Sequence, residues 1–174
     1  MTKYQLAKLV DWAGGIDTRK RMQKLVYMLQ AAGCNFYADY FLHRYGPYSQ
    51  DVAQLTDDMV SIGVLEESSQ PNQVGQQYSY QLTEQGRQQL VRLEGNSKFA
   101  DLVDQLSKYE ALAKELANKD LRELEVASTI AYYHHDKKLD WEEAAEHAFS
   151  FKGVNDNTTF ATKTIALAKK ADQS

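Results

Sequence analysis

Three short amphipathic runs, each closed by glycine, precede two short extended stretches and a fourth run, all before Gly95. Thr2 followed by Gln5 has the form of a capping box, and Leu6, Leu9, Val10 and Ala13 recur at helical spacing up to Gly14-Gly15. Asp17 or Thr18 caps a second run, whose apolar stripe is Met22, Leu25, Val26 and Leu29 before Gly33. From Asn35 to Tyr45 the pattern turns aromatic and short-period, which suits a short strand or an extended arm, and Gly46-Pro47 predicts a turn. Ser49 caps a third run carrying Val52, Leu55, Met59 and Ile62, ended by Gly63.

Val64 to Glu66 and Tyr78 to Leu82 read as two strands, joined by a long polar tip from Ser68 to Gln77 that contains Pro71, Asn72 and Gly75. Thr83 then caps a fourth helix. Helix, helix, helix, hairpin, helix is the winged helix-turn-helix order, and it predicts such a domain over residues 1–95. Residues 96–174 predict a helical region of about four helices packed on it. Its first helix starts at Phe99, Leu102, Val103 and Leu106 and extends toward Ala117; Asp120 with Glu123 and Asp140 with Glu143 start the next two, and Asn157 or a neighbour the last. The expected fold class is mainly α with a small β-hairpin.

Charge narrows the function. The net charge is −4, with 9 basic against 10 acidic residues up to Gly95 and 11 against 14 beyond it. Neither half has the basic balance that dense phosphate contacts require. The third run has no Lys or Arg between Ser49 and Ile62 and carries Asp51, Asp57 and Asp58. Gln50 and Gln54 are the residues there that could read a base edge or touch a partner. Basic residues gather instead at the start of the second helix, as Arg19, Lys20, Arg21 and Lys24, with Arg44 on the arm. Cations at a helix N-terminus oppose its dipole. They are therefore candidates for holding a nucleic-acid phosphate or another anion, or for pairing with acids such as Asp17 and Asp39. Tyr45 and Tyr48 beside Arg44 are candidates for partner contact or for core packing.

No cofactor or metal site is expected. His134, His135 and Asp136 with Glu146 and His147 form the cluster that most resembles metal ligands, but consecutive histidines project in different directions from a helix. Cations closing a helix C-terminus explain the pair more simply. The single cysteine, Cys34, has no partner for a disulfide and no neighbouring base. No P-loop, dinucleotide-binding, zinc-protease or nucleophile-elbow pattern occurs, so a non-enzymatic protein is expected. No apolar stretch approaches the roughly 20 residues that span a bilayer, and a reducing cytoplasm is the expected compartment.

Tyr78, Leu82, Thr83, Gly86, Arg87 and Leu90 resemble the wing strand and following helix of PadR-like and MarR-like regulators. Arg19, Lys20, Met22 to Tyr27 and Leu29, followed by Tyr45-Gly46-Pro47-Tyr48-Ser49, Val52 and the Ile62 to Leu65 junction, resemble the YwgA family, and more distantly Panacea/SocA-type proteins. Beyond Gly95 the likeness rests on Leu124 to Ile130. Some members of the wider group are antitoxins or proteolytic adaptors. The resemblance implies protein partners as well as possible DNA contact, and macromolecular recognition is expected, either by a DNA-binding transcriptional regulator or by a protein-protein interaction module; the apolar-rich C-terminal helices could offer a face to a second copy of the chain. A metal-dependent hydrolase is the remote alternative.

Overall fold

The computed structural model describes residues 1–72, 75–156 and 158–172. The chain begins with α1 (Lys3–Ala13), whose capping box between Thr2 and Gln5 is formed and whose end at Gly14 is left-handed. A two-residue strand β1 (Ile16–Asp17) leads to α2 (Arg19–Ala31), capped by Thr18. An extended segment then enters a small ribbon, β2 (Phe41–His43) paired antiparallel with β3 (Gly46–Tyr48). Ser49 caps α3 (Gln50–Ser61). β4 (Leu65–Asn72) and β5 (Gly75–Leu82) form an antiparallel hairpin, and β1 adds to β5 to give a three-stranded sheet in the order β1-β5-β4. Thr83 caps α4 (Glu84–Glu94).

After a short 3₁₀ turn come α5 (Ala100–Ser107), α6 (Glu110–Ala117), α7 (Leu121–His135), α8 (Trp141–Lys152) and α9 (Thr159–Ala168), with a final 3₁₀ turn at Lys169–Asp172. The described residues are thus mainly helical with two small antiparallel sheets. Asp120 and Asp140 cap α7 and α8 as their spacing implies, each accepting from two backbone N–H groups. Asn157 lies outside the described residues; Thr158 accepts the capping bond of α9.

Three expectations need correction. The segment Ser68 to Gln77, read as a polar tip, is paired backbone: the β4–β5 register runs from Leu65 opposite Leu82 to Asn72 opposite Gly75, with Gln73 and Val74 outside the described residues. Both faces of that outer hairpin meet water, so no apolar alternation marks it as strand. Gly46-Pro47 opens β3 rather than making the turn, which falls on Arg44 and Tyr45 between the paired His43 and Gly46. The run from Phe99 to Ala117 is two helices. It breaks at Lys108 and Tyr109, which lets Ala113 and Leu116 of α6 bury against α1 and α2.

One continuous apolar cluster links both halves, from Leu6 and Leu9 of α1 to Leu167 and Ala168 of α9. At its centre is α7, buried without a break from Leu124 to Tyr132 and packed against α2, α8, α9 and β3. A helix buried on nearly all sides carries no broad polar stripe. Gly86 lets α4 close onto the chain just before β4: a Cβ there would overlap the Val64 carbonyl.

Candidate recognition face

The five cations singled out in the sequence do not form one patch. Arg19 spans α2, α3 and the hairpin: its Nη2 lies 2.7 Å from Asp57 and 3.0 Å from Glu67, and its Nε donates to the Tyr80 hydroxyl at 2.8 Å. Tyr80 in turn donates to Glu67 at 2.6 Å. Arg21 faces the other way and donates to the carbonyls of Ala117 and Lys119, satisfying the open end of α6. Lys24 is buried, with its Nζ donating to the Pro47 carbonyl at 2.6 Å. Only Lys20 and Arg44 meet, on the ribbon turn, where they lie 3.6 and 5.1 Å from the Tyr45 ring. The pairing proposed with Asp17 and Asp39 is not among the ion pairs of the described residues; Asp57 and Glu67 take that role for Arg19.

Beneath the ribbon lies a second group of charges that position it. Glu125 of α7, nearly buried, holds Lys152 at 2.8 Å and Arg122 at 3.2 Å. Lys152 Nζ also donates to the Arg44 carbonyl at 2.9 Å, so the end of α8 is tied to the ribbon turn. Gly46, at φ +90°, sits against Thr129 of α7: a Cβ would come within 2.7 Å of its Oγ1. Thr129 itself donates back to the Glu125 carbonyl at 2.7 Å. Burial pushes the Lys24 ammonium down to about 7, helped by the nearby charge of Lys152 and opposed by Glu125. Burial likewise lowers Lys152, against its bond to Glu125. Three separate stretches of sequence, around Lys24, Gly46-Pro47 and Glu125 to Thr129, thus converge on one structural joint.

What faces outward is the surface of α3 and the β4–β5 hairpin. From Tyr45 to Gly86 there is no Lys or Arg, while Asp51, Asp57, Asp58, Glu66, Glu67 and Glu84 fall in that span. Gln50 and Gln54 are exposed; Gln50 accepts from the Tyr48 hydroxyl at 3.3 Å and Gln54 donates to Asp58 at 2.9 Å. Tyr45 and Tyr48 are half-buried. Beside them Phe41 is 52% exposed and packs edge-on against Tyr48 at 5.5 Å. A shallow dip of about 40 Å³ beside Tyr48, bordered by Arg19, Val52, Ala53 and Thr56, joins the ribbon to α3. Sequence reading missed Phe41 as a surface group, because an apolar residue in a three-residue strand has no periodicity to reveal its side.

Cys34 is buried, and desolvation raises its thiol to about 12, which leaves it protonated and inert at neutral pH. His147 stacks on Tyr133, with ring centres 5.4 Å apart. Asp136 accepts from the Tyr27 hydroxyl at 2.5 Å. His134 and His135, however, converge on Asp172, contrary to the divergence expected of neighbours on a helix. They occupy the last turn of α7, where the Lys169–Asp172 turn comes back to meet both rings.

No protein-family model matches the chain. The uncharacterized protein YwgA of Bacillus subtilis (strain 168) is 30% identical over 149 residues, covering 85% of this chain and 82% of that protein. The chain belongs to the YwgA family. A match of that length extends across Gly95, so the YwgA likeness takes in both the sheet-bearing half and the helices beyond it. None of the described helices is long and apolar enough to cross a membrane.

Proposed function

We propose that this YwgA-family protein is a non-enzymatic winged-helix adaptor that recognises a basic surface on a protein partner. In this reading α1 to α3, the β4–β5 hairpin and α4 make the winged helix, α3 stands in the recognition position and the hairpin is the wing. The observation that carries it is the run from Tyr45 to Gly86, which supplies both elements without one Lys or Arg. A groove-reading helix and wing need cations to hold phosphates. Here the cation closest to α3, Arg19, is already neutralised by Asp57 and Glu67. An acidic face rimmed by Phe41 and Tyr48 complements Lys and Arg on a partner, with the aromatic rings supplying contact area and cation-π attraction. The distant resemblance to Panacea/SocA-type antitoxins and adaptors agrees with a protein partner.

A second reading draws on Lys20 and Arg44, which flank Tyr45 on the ribbon turn and could hold nucleic acid there. Titration of labelled duplex and single-stranded DNA at low salt separates the two. The adaptor reading predicts no saturable binding. Binding that weakens as salt rises, and that is lost in the Lys20→Ala/Arg44→Ala double variant, would replace it with the nucleic-acid reading.

A further inference from the structure

At the C-terminal end of α7, His134 Nδ1 lies 2.8 Å from the Leu139 carbonyl oxygen. A carbonyl only accepts, so Nδ1 carries the proton and, in the neutral ring, Nε2 presents a bare lone pair. That lone pair faces a carboxylate: Asp172 Oδ2 is 3.8 Å away. His135 Nε2 is 3.5 Å from Asp172 Oδ1 and has no hydrogen-bond partner among the described residues, although the atom is shielded from solvent. Both separations are too long for hydrogen bonds. Each runs to a different oxygen of the carboxylate, and both are somewhat longer than the spacing of about 3.3 Å between neighbouring ligands around a tetrahedral metal with bonds of 2.0–2.1 Å. One donor atom from each residue lies within 4.8 Å of the others, a loose three-ligand set whose side chains must close by about 1 Å to hold an ion.

The surroundings have the form of an outer shell. Trp141 Nε1 donates to Asp172 Oδ2 at 3.2 Å, and its ring stacks on His134 with centres 3.8 Å apart. The Leu139 carbonyl fixes the His134 tautomer, and Trp141 fixes both the ring and the carboxylate. A bare imidazole nitrogen beside a carboxylate is repelled by it unless a proton or a metal cation lies between them.

We propose that His134, His135 and Asp172 bind a divalent transition-metal ion of the Zn²⁺ class, leaving the remaining coordination to water. Two imidazoles with one carboxylate match that class, whereas Mg²⁺ and Ca²⁺ require a shell of oxygens. The ion would fasten the Lys169–Asp172 turn to the end of α7, apart from the recognition face and independent of its partner.

Calorimetric titration of the tag-free, chelator-treated full chain with Zn²⁺ tests the site. One Zn²⁺ per chain is expected. Asp172→Asn and His135→Gln should each weaken binding by at least about tenfold, and Trp141→Phe, which keeps an aromatic ring but loses the donor, by about tenfold. His147→Gln should leave the affinity unchanged. Circular dichroism establishes that the variants are folded; Asp172 is exposed on the last turn and its loss leaves the core intact. Absence of saturable Zn²⁺ binding by the wild-type chain overturns the proposal, as does binding that survives in Asp172→Asn and His135→Gln or that is abolished by His147→Gln.

Discussion

The outer face of α3 and the hairpin, and the joint beneath the β2–β3 ribbon, handle charge in opposite ways. On the face, carboxylates stand in water with Arg19 bridging two of them. In the joint, two lysines are buried with one glutamate between α7, α8 and the ribbon. Exposed pairs are worth roughly 0–1 kcal/mol, whereas removing one partner of a buried pair costs about 3–5 kcal/mol. The joint therefore sets the position of the ribbon, and the face remains free to change its charges without loss of fold.

The largest effect should come from the joint. Glu125→Ala strips Lys152 of its counter-ion and is expected to destabilise the chain by about 3–5 kcal/mol in denaturant unfolding. A loss below about 1 kcal/mol would show that water screens these charges and would erase the contrast with the face.

Lys24→Met tests the same joint through pH. Lys24 titrates near 7 when folded and at 10.5 ordinarily, so between those values the unfolded chain binds the extra proton. The contribution of Lys24 to stability therefore rises with pH across that window, at up to about 1.4 kcal/mol per unit, and its deficit is complete below pH 7. Cys34, Tyr27 and Tyr40 have raised values in the folded chain, chiefly through burial, and act in the opposite sense from about pH 9 upward. The comparison is cleanest between about pH 6.5 and 8.5. Lys24→Met leaves the Pro47 carbonyl without its donor and should lose about 1–3 kcal/mol at pH 8.5, with the gap to wild type narrowing toward pH 6.5. Unfolding curves at the two pH values check this; parallel pH dependence in both proteins would contradict it.

On the face the effects should be small. Arg19→Ala removes an exposed bridge and should cost no more than about 1 kcal/mol in thermal unfolding, with the Tyr80–Glu67 bond still in place. A loss like that of Glu125→Ala would make Arg19 part of the structural framework rather than of a recognition surface.

Where backbone chemistry is local, the fold could be read from residue types. Thr2, Ser49, Thr83, Asp120 and Asp140 all cap the helices their spacing announces. What escaped reading depends on what the chain meets in space. The hairpin beyond Ser68 is polar on both faces and looked like a loop, and the break at Lys108 has no proline or glycine to announce it. The candidate site was less legible than the fold. Arg19, Lys20, Arg21 and Lys24 are neighbours in sequence, but a helix turns each by about 100°, which sends one to α3, one to the ribbon, one to α6 and one into the core. Asp172 is separated from His135 by two helices, and no spacing rule brings it there.

Affinity capture with the Asp51→Lys/Asp58→Lys double variant tests the role of the acidic face most directly. Both side chains are exposed, but Asp51 also accepts the Asp39 backbone N–H at 3.1 Å and lies in the first turn of α3, so the double variant should unfold within about 2 kcal/mol of wild type. Quantitative comparison with wild type is predicted to show a stoichiometric partner with a basic surface that is retained by wild type and lost from the variant. Capture of the same partner in equal amount by both proteins would contradict recognition through the acidic face.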